Sequence, residues 1–129
     1  MDELIKVEML TKESELFENE FNNLKKFYIL NGEKEVHDFI KINPGIILLL
    51  KEFEPSLKDY FPNSYFELKF GPDLSGSWFD LLELNIWMDE ETFDNGSSEY
   101  VRLINKEFRP LRRKLNLLGE VLILKRILR

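Results

Sequence analysis

Ser64–Phe70, SYFELKF, and Leu81–Met88, LLELNIWM, decide how this chain folds. Both alternate without a break. Phe66, Leu68 and Phe70 lie on one side of the first, with Tyr65, Glu67 and Lys69 on the other. In the second, Leu82, Leu84, Ile86 and Met88 oppose Leu81, Glu83, Asn85 and Trp87. A period of two sends successive side chains to opposite faces of a pleated strand, so both stretches predict strands buried on one face. Pairing Phe70 with Leu82 sets Lys69 opposite Glu83 and Tyr65 opposite Trp87, both favourable cross-strand pairs. A shift by two residues would preserve the facing. The Gly-, Pro- and Ser-containing segment Gly71–Asp80 joins the two runs.

Upstream, the periodicity changes to that of a helix. From Thr11, an acceptable N-cap, Phe17, Phe21, Leu24 and Tyr28 recur at helical spacing, and Asn31-Gly32 supplies a stop. Residues 2–10 fit a helix or a strand, and Leu4, Val7 and Leu10 tip the reading to helix. A second helix over about 33–42 places Val36, Phe39 and Ile40 together. Asn43-Pro44 reads as an N-cap and first-turn proline for a third, with Ile47, Leu50 and Phe53 inward. Pro55 should break or kink that helix, and Phe61-Pro62-Asn63 should end it.

Downstream, Asp89–Ser98 reads as an acidic loop, with Ser97 or Ser98 capping a helix that carries Val101, Ile104 and Phe108. Pro110 should interrupt it. After Gly119, the β-branched run Glu120–Leu128 predicts a third strand. The fold expected is α+β: N-terminal helices packed on a small antiparallel sheet, in the order α-α-α-β-β-α-β, as a single domain over residues 1–129. The apolar content of the last strand (Val121, Leu122, Ile123, Leu124, Ile127, Leu128) implies burial on both faces, or an edge that pairs with a second copy to make a homodimer.

Composition narrows the chemistry. The chain of 129 residues is 43% hydrophobic and 33% charged, the balance of a globular domain. With no Cys, disulfides and thiolate metal sites are excluded. Ala and Gln are absent, and Phe, Ile, Lys, Asn and Glu are heavily used, which suits an AT-rich prokaryotic genome. No basic and apolar leader opens the sequence, and its longest apolar run, Ile46–Leu50, is too short to cross a bilayer. A cytoplasmic protein without a membrane partner is expected.

Charge is divided along the chain. Residues 1–98 carry 21 acidic and 9 basic side chains, whereas residues 99–129 carry 3 and 9, within a net charge of −6. Arg109, Arg112, Arg113, Lys114 and Arg126 are therefore the candidate nucleic-acid contacts, if the basic segment is displayed as a patch. Folded against the acidic helices, it would be structural. Asp73, Asp80, Asp89, Glu90, Glu91 and Asp94 cluster in sequence around two loops, but their spacing matches no calcium loop, and no metal site or cofactor is expected. His37 has no nearby nucleophile, zinc-type His pair or Gly-x-Ser-x-Gly motif. Tyr65, Trp78, Phe79 and Trp87 are the candidate partner-binding residues, because aromatics on a polar strand face or in a loop suit the centre of an interface.

Residues 38–88 carry a further pattern: Phe39-Ile40, Asn43-Pro44, Leu48–Leu50, Pro55–Ser64, Phe66–Leu68, Pro72-Asp73 and Leu82–Ile86. This arrangement resembles short uncharacterised prokaryotic proteins in which a helix ends in a Tyr-Phe-Pro-like turn and two strands flank an Asp-containing loop. The resemblance implies a stand-alone α+β domain and no activity or site residue. The sequence departs from that pattern after the second strand, where a basic, proline-containing helix replaces an acidic one.

These readings favour a small non-enzymatic protein-interaction domain, of inhibitor, antitoxin-like or immunity-like kind, whose negative surface steers a basic target. A nucleic-acid-binding module using the basic C-terminal segment is the alternative. A metal-dependent enzyme using the loop carboxylates ranks third.

Overall fold

The computed structural model describes residues 2–72 and 80–128, with side chains from 12 to 71 and from 80 to 128. The elements are α1 (Asp2–Leu24), β1 (Ile29–Asn31), α2 (Glu33–Ile42), α3 (Gly45–Tyr60), β2 (Tyr65–Pro72), β3 (Asp80–Met88), α4 (Glu90–Asp94), α5 (Ser97–Leu115) and β4 (Val121–Ile127). The α+β class is as expected. The sheet is mixed rather than antiparallel: its order is β1-β2-β3-β4, with only the central pair antiparallel. Parallel neighbours need a crossover, which α2 and α3 supply on one side and α4 and α5 on the other.

The central register is the one the cross-strand pairs predict. Tyr65 lies opposite Trp87, Lys69 opposite Glu83 and Phe70 opposite Leu82. Phe66, Leu68, Leu82, Leu84, Ile86, Met88, Val121 and Ile123 are buried on one face of the sheet. Helical residues including Phe21, Ile40, Leu50, Phe53 and Ile104 share one hydrophobic cluster with them. Tyr28 enters this core with its hydroxyl donating to the Leu50 carbonyl (2.5 Å), and burial raises its pKa well above the ordinary phenol value.

Several local expectations are corrected. The first helix stops at Leu24, and the Lys26, Phe27 and Tyr28 N–H groups close tight turns onto Asn23 and Leu24. Ile29–Asn31 then forms the unforeseen β1, and Gly32 (φ 75°) turns the chain into α2. A side chain at Gly32 would be strained by that φ and would meet the Glu35 carboxylate. Asn43 does not cap α3; its side-chain amide donates back to the Phe39 carbonyl (3.2 Å). Neither serine caps α5, because Gly96 occupies the N-cap at φ 87° and the Ser97 hydroxyl donates to the Phe93 carbonyl (2.5 Å). Within the expected acidic loop, Asp89 caps the one-turn helix α4.

Neither proline breaks its helix: α3 runs through Pro55 and α5 through Pro110. Both prolines are exposed, so the carbonyls they leave without a helical donor lie on the solvent side, where water can serve them. Asn116, at φ 57°, ends α5 by letting its N–H reach the Arg112 and Arg113 carbonyls. The last strand is shorter than the predicted Glu120–Leu128 and forms a sheet edge. Among the described residues, no helix is long and apolar enough to cross a membrane.

Candidate partner-binding face

The alternate residues of the same strands make the second face of the sheet, and they are not buried to the same degree. Ile29 is 54% exposed, Tyr65 59% and Leu122 46%, while their strand neighbours Phe66, Val121 and Ile123 are buried. This face remains open among the described residues. It is apolar at its margins and polar in its centre.

Glu67 organises that centre. Its Oε1 accepts from Asn85 Nδ2 (3.0 Å) and from Trp87 Nε1 (3.2 Å), and its Oε2 accepts from Asn31 Nδ2 (3.2 Å). The network continues across β3, where Arg126 Nε donates to Asn85 Oδ1 (3.1 Å) and its terminal nitrogen to Glu83 Oε1 (3.4 Å). Asn85 is only 2% exposed and has a partner at each end of its amide. No buried side-chain nitrogen or oxygen among the described residues lacks a hydrogen bond. Four strands are thus cross-linked by side chains whose rotamers are already fixed, which lowers the entropy lost when a partner lands on them.

Comparison with protein-family models, curated proteins and solved structures gives no match. The site therefore rests on its own geometry. Of the four aromatic candidates, Tyr65 and Trp87 stand opposite one another on the open face, Tyr65 exposed and Trp87 half-buried with its indole N–H engaged. Trp78 and Phe79 lie outside the described residues.

The five basic candidates do not form one patch. Arg112 is 6% exposed: one guanidinium nitrogen donates to the Val121 carbonyl (2.7 Å) and the group lies over the Phe53 ring. Burial lowers its pKa, with Glu120 opposing the shift. Arg112 is a structural tether that leaves little surface to offer a phosphate. Arg126 belongs to the open-face network, while Arg109, Arg113 and Lys114 are exposed on α5.

Asp73 lies outside the described residues, and among those described no three His, Asp or Glu side chains could hold a metal together. Asp89 accepts from the Thr92 N–H (2.7 Å), which depresses its pKa. His37 joins α1 to α2: Nε2 bonds Glu18 (2.7 Å), Nδ1 bonds Asp38 (3.1 Å), and the edges of Phe17 and Phe21 pack at its ring. The Glu18 bond, then the Asp38 bond, raises its pKa. Sequence reading overlooked Glu67, Asn85, Ile29 and Leu122. The first two were legible as polar residues inside strongly alternating strands, and an edge position for β4 was one of the two alternatives its apolar content offered, but β1 was not legible.

Proposed function

We propose that this chain is a non-enzymatic protein-interaction domain, working in the cytoplasm, that docks another protein on the open face of its sheet. The observation that carries the reading is the exposed Tyr65 opposite Trp87, set beside a prearranged polar centre on Glu67. Aromatic side chains such as Tyr and Trp are enriched among the residues that carry binding energy at interfaces. Lys69 and Arg126 balance Glu67 and Glu83 on this face, so selection there depends on shape and on the aromatics more than on the net charge of −6. Strand spacing and rise give the face about 400 Å², half of the roughly 800 Å² each partner gives to a standard interface. The outer edge of β4 is the described neighbour that would extend it.

Tyr65→Ala tests the reading. The variant should lose capture of the partner in affinity purification from the native host, while its urea midpoint stays close to wild type. Unchanged capture with Tyr65→Ala and with Trp87→Phe would refute docking on this face.

A further inference from the structure

The outer edge of β4 and the flank of α5 form a second surface, with a chemistry unlike the rest of the molecule. The Leu82 N–H donates to the Glu120 carbonyl (2.7 Å), and the Leu128 N–H donates to the Met88 carbonyl (2.7 Å). Even-numbered residues of β4 therefore turn their backbone groups toward β3, and odd-numbered residues turn theirs outward. The Val121 carbonyl points outward and is taken by Arg112. Beyond it, the N–H and C=O groups of Ile123, Lys125 and Ile127 face away from the sheet with no strand beside them among the described residues.

A trough of about 280 Å³ follows this edge. It touches Leu122, whose side chain is on the open face, as well as Ile123, whose side chain is on the helix face, so it runs along the rim between them. Through Arg109 it joins a hollow of about 570 Å³ on α5 that includes Arg102 and Lys106. Arg102, Lys106 and Arg109 recur at helical spacing along α5, and only Arg102 has a carboxylate within ion-pair distance, that of Glu99, among the described residues. Together with the tether Arg112, four cations line the combined trough and no carboxylate does, in a chain with 24 acidic residues and 18 basic ones.

We infer that this rim takes an extended, acidic segment of a partner protein, added beside β4 as a fifth strand with its carboxylates on Lys106 and Arg109. The inference rests on the protein-interaction reading and names the part of the partner that the open face alone does not recognise. Outward backbone groups recognise another peptide backbone, and alternate side chains then sample the flanking surface. Nucleic acid could use the cations but has no use for the free strand edge, because it brings no peptide N–H and C=O groups to pair with it. A second copy would bring its own Lys125 and Arg126 against an already basic rim.

The test uses a short fluorescein-labelled peptide of alternating Glu and Val, with a Lys and Val counterpart and a duplex DNA oligomer as comparators. The Glu peptide should bind with Kd below about 1 mM, more weakly at higher salt, and should slow amide exchange at Ile123, Lys125 and Ile127. The double variant Lys106→Glu/Arg109→Glu, both exposed and outside the core, should weaken it at least about tenfold. Tyr65→Ala should leave peptide affinity unchanged, which separates this surface from the open face. Equal binding of the Lys peptide, or binding that leaves the three amides unprotected, would overturn the inference. Binding of DNA in place of the Glu peptide would reassign the trough to phosphate. Protection of the same amides by self-association alone would give the rim to a second copy.

Discussion

The two faces of the sheet are made by the same strands and differ in almost every other respect. On the covered face, Leu68, Leu82, Leu84, Ile86 and Met88 are completely buried under helices. On the open face, one residue along the chain in each direction, Glu67, Asn85 and Trp87 hold one another by hydrogen bonds while Tyr65 and Leu122 remain in water. The covered face derives its stability from apolar burial, which is large and non-directional. The open face derives its order from directed contacts of small net energy, and that leaves its apolar margin available to a partner.

Leu84→Ala should break the covered face with the largest effect, because a fully buried leucine surrounded on all sides leaves a cavity. A loss of about 2–5 kcal/mol in urea unfolding is expected. Glu67→Ala should follow with about 1–3 kcal/mol, because it strands the Asn85 and Trp87 donors without a partner. The Trp87 fluorescence should also change. A loss below about 0.5 kcal/mol would mean the network orders nothing. Tyr65→Ala should register within about 0.5 kcal/mol, its effect confined to capture.

The smallest effect concerns the helices on the covered side. His37 has a raised pKa because of Glu18 and Asp38, and Lys25, Glu33 and Lys34 border the same hollow. A histidine whose folded pKa exceeds its unfolded value adds stability that is fully present below about pH 6.5 and disappears as pH rises through the folded value. Thermal melts taken from about pH 6 upward should therefore fall for the wild type, and the fall should be smaller for His37→Gln. Parallel curves for the two proteins would remove His37 as the pH-dependent joint between α1 and α2.

What the sequence made legible follows from the same contrast. The β2–β3 register was readable because alternation fixed the facing, and the Lys69–Glu83 and Tyr65–Trp87 pairs chose among the shifts that preserve it. β1 was not readable: Ile29, Leu30 and Asn31 are too few to show a period, and Asn31-Gly32 carries the chemistry of a helix stop. Pro55 and Pro110 misled because local propensity yields where tertiary packing holds the rest of a helix, as the edge-on contact of Phe53 with Phe108 does between α3 and α5. Arg112 misled because a cation in a basic run resembles its neighbours until the fold turns it inward. On α5, Arg102 and Lys106 extend the basic spacing upstream of the run that the sequence reading began at Arg109.

The mixed sheet has a consequence for the order in which the molecule comes together. β2 and β3 are joined locally, whereas β1 reaches β2 only across α2 and α3, and β4 reaches β3 only across α4 and α5. Closing a longer loop loses more chain entropy before any contact compensates for it, so the β2–β3 pair is expected to form before the outer strands join it. On that expectation β4 docks late, and Arg112 holds its first residue once it is in place. A strand that docks late is one whose formation a segment added beside it could hasten, so a partner bound at this rim would be expected to speed completion of the sheet.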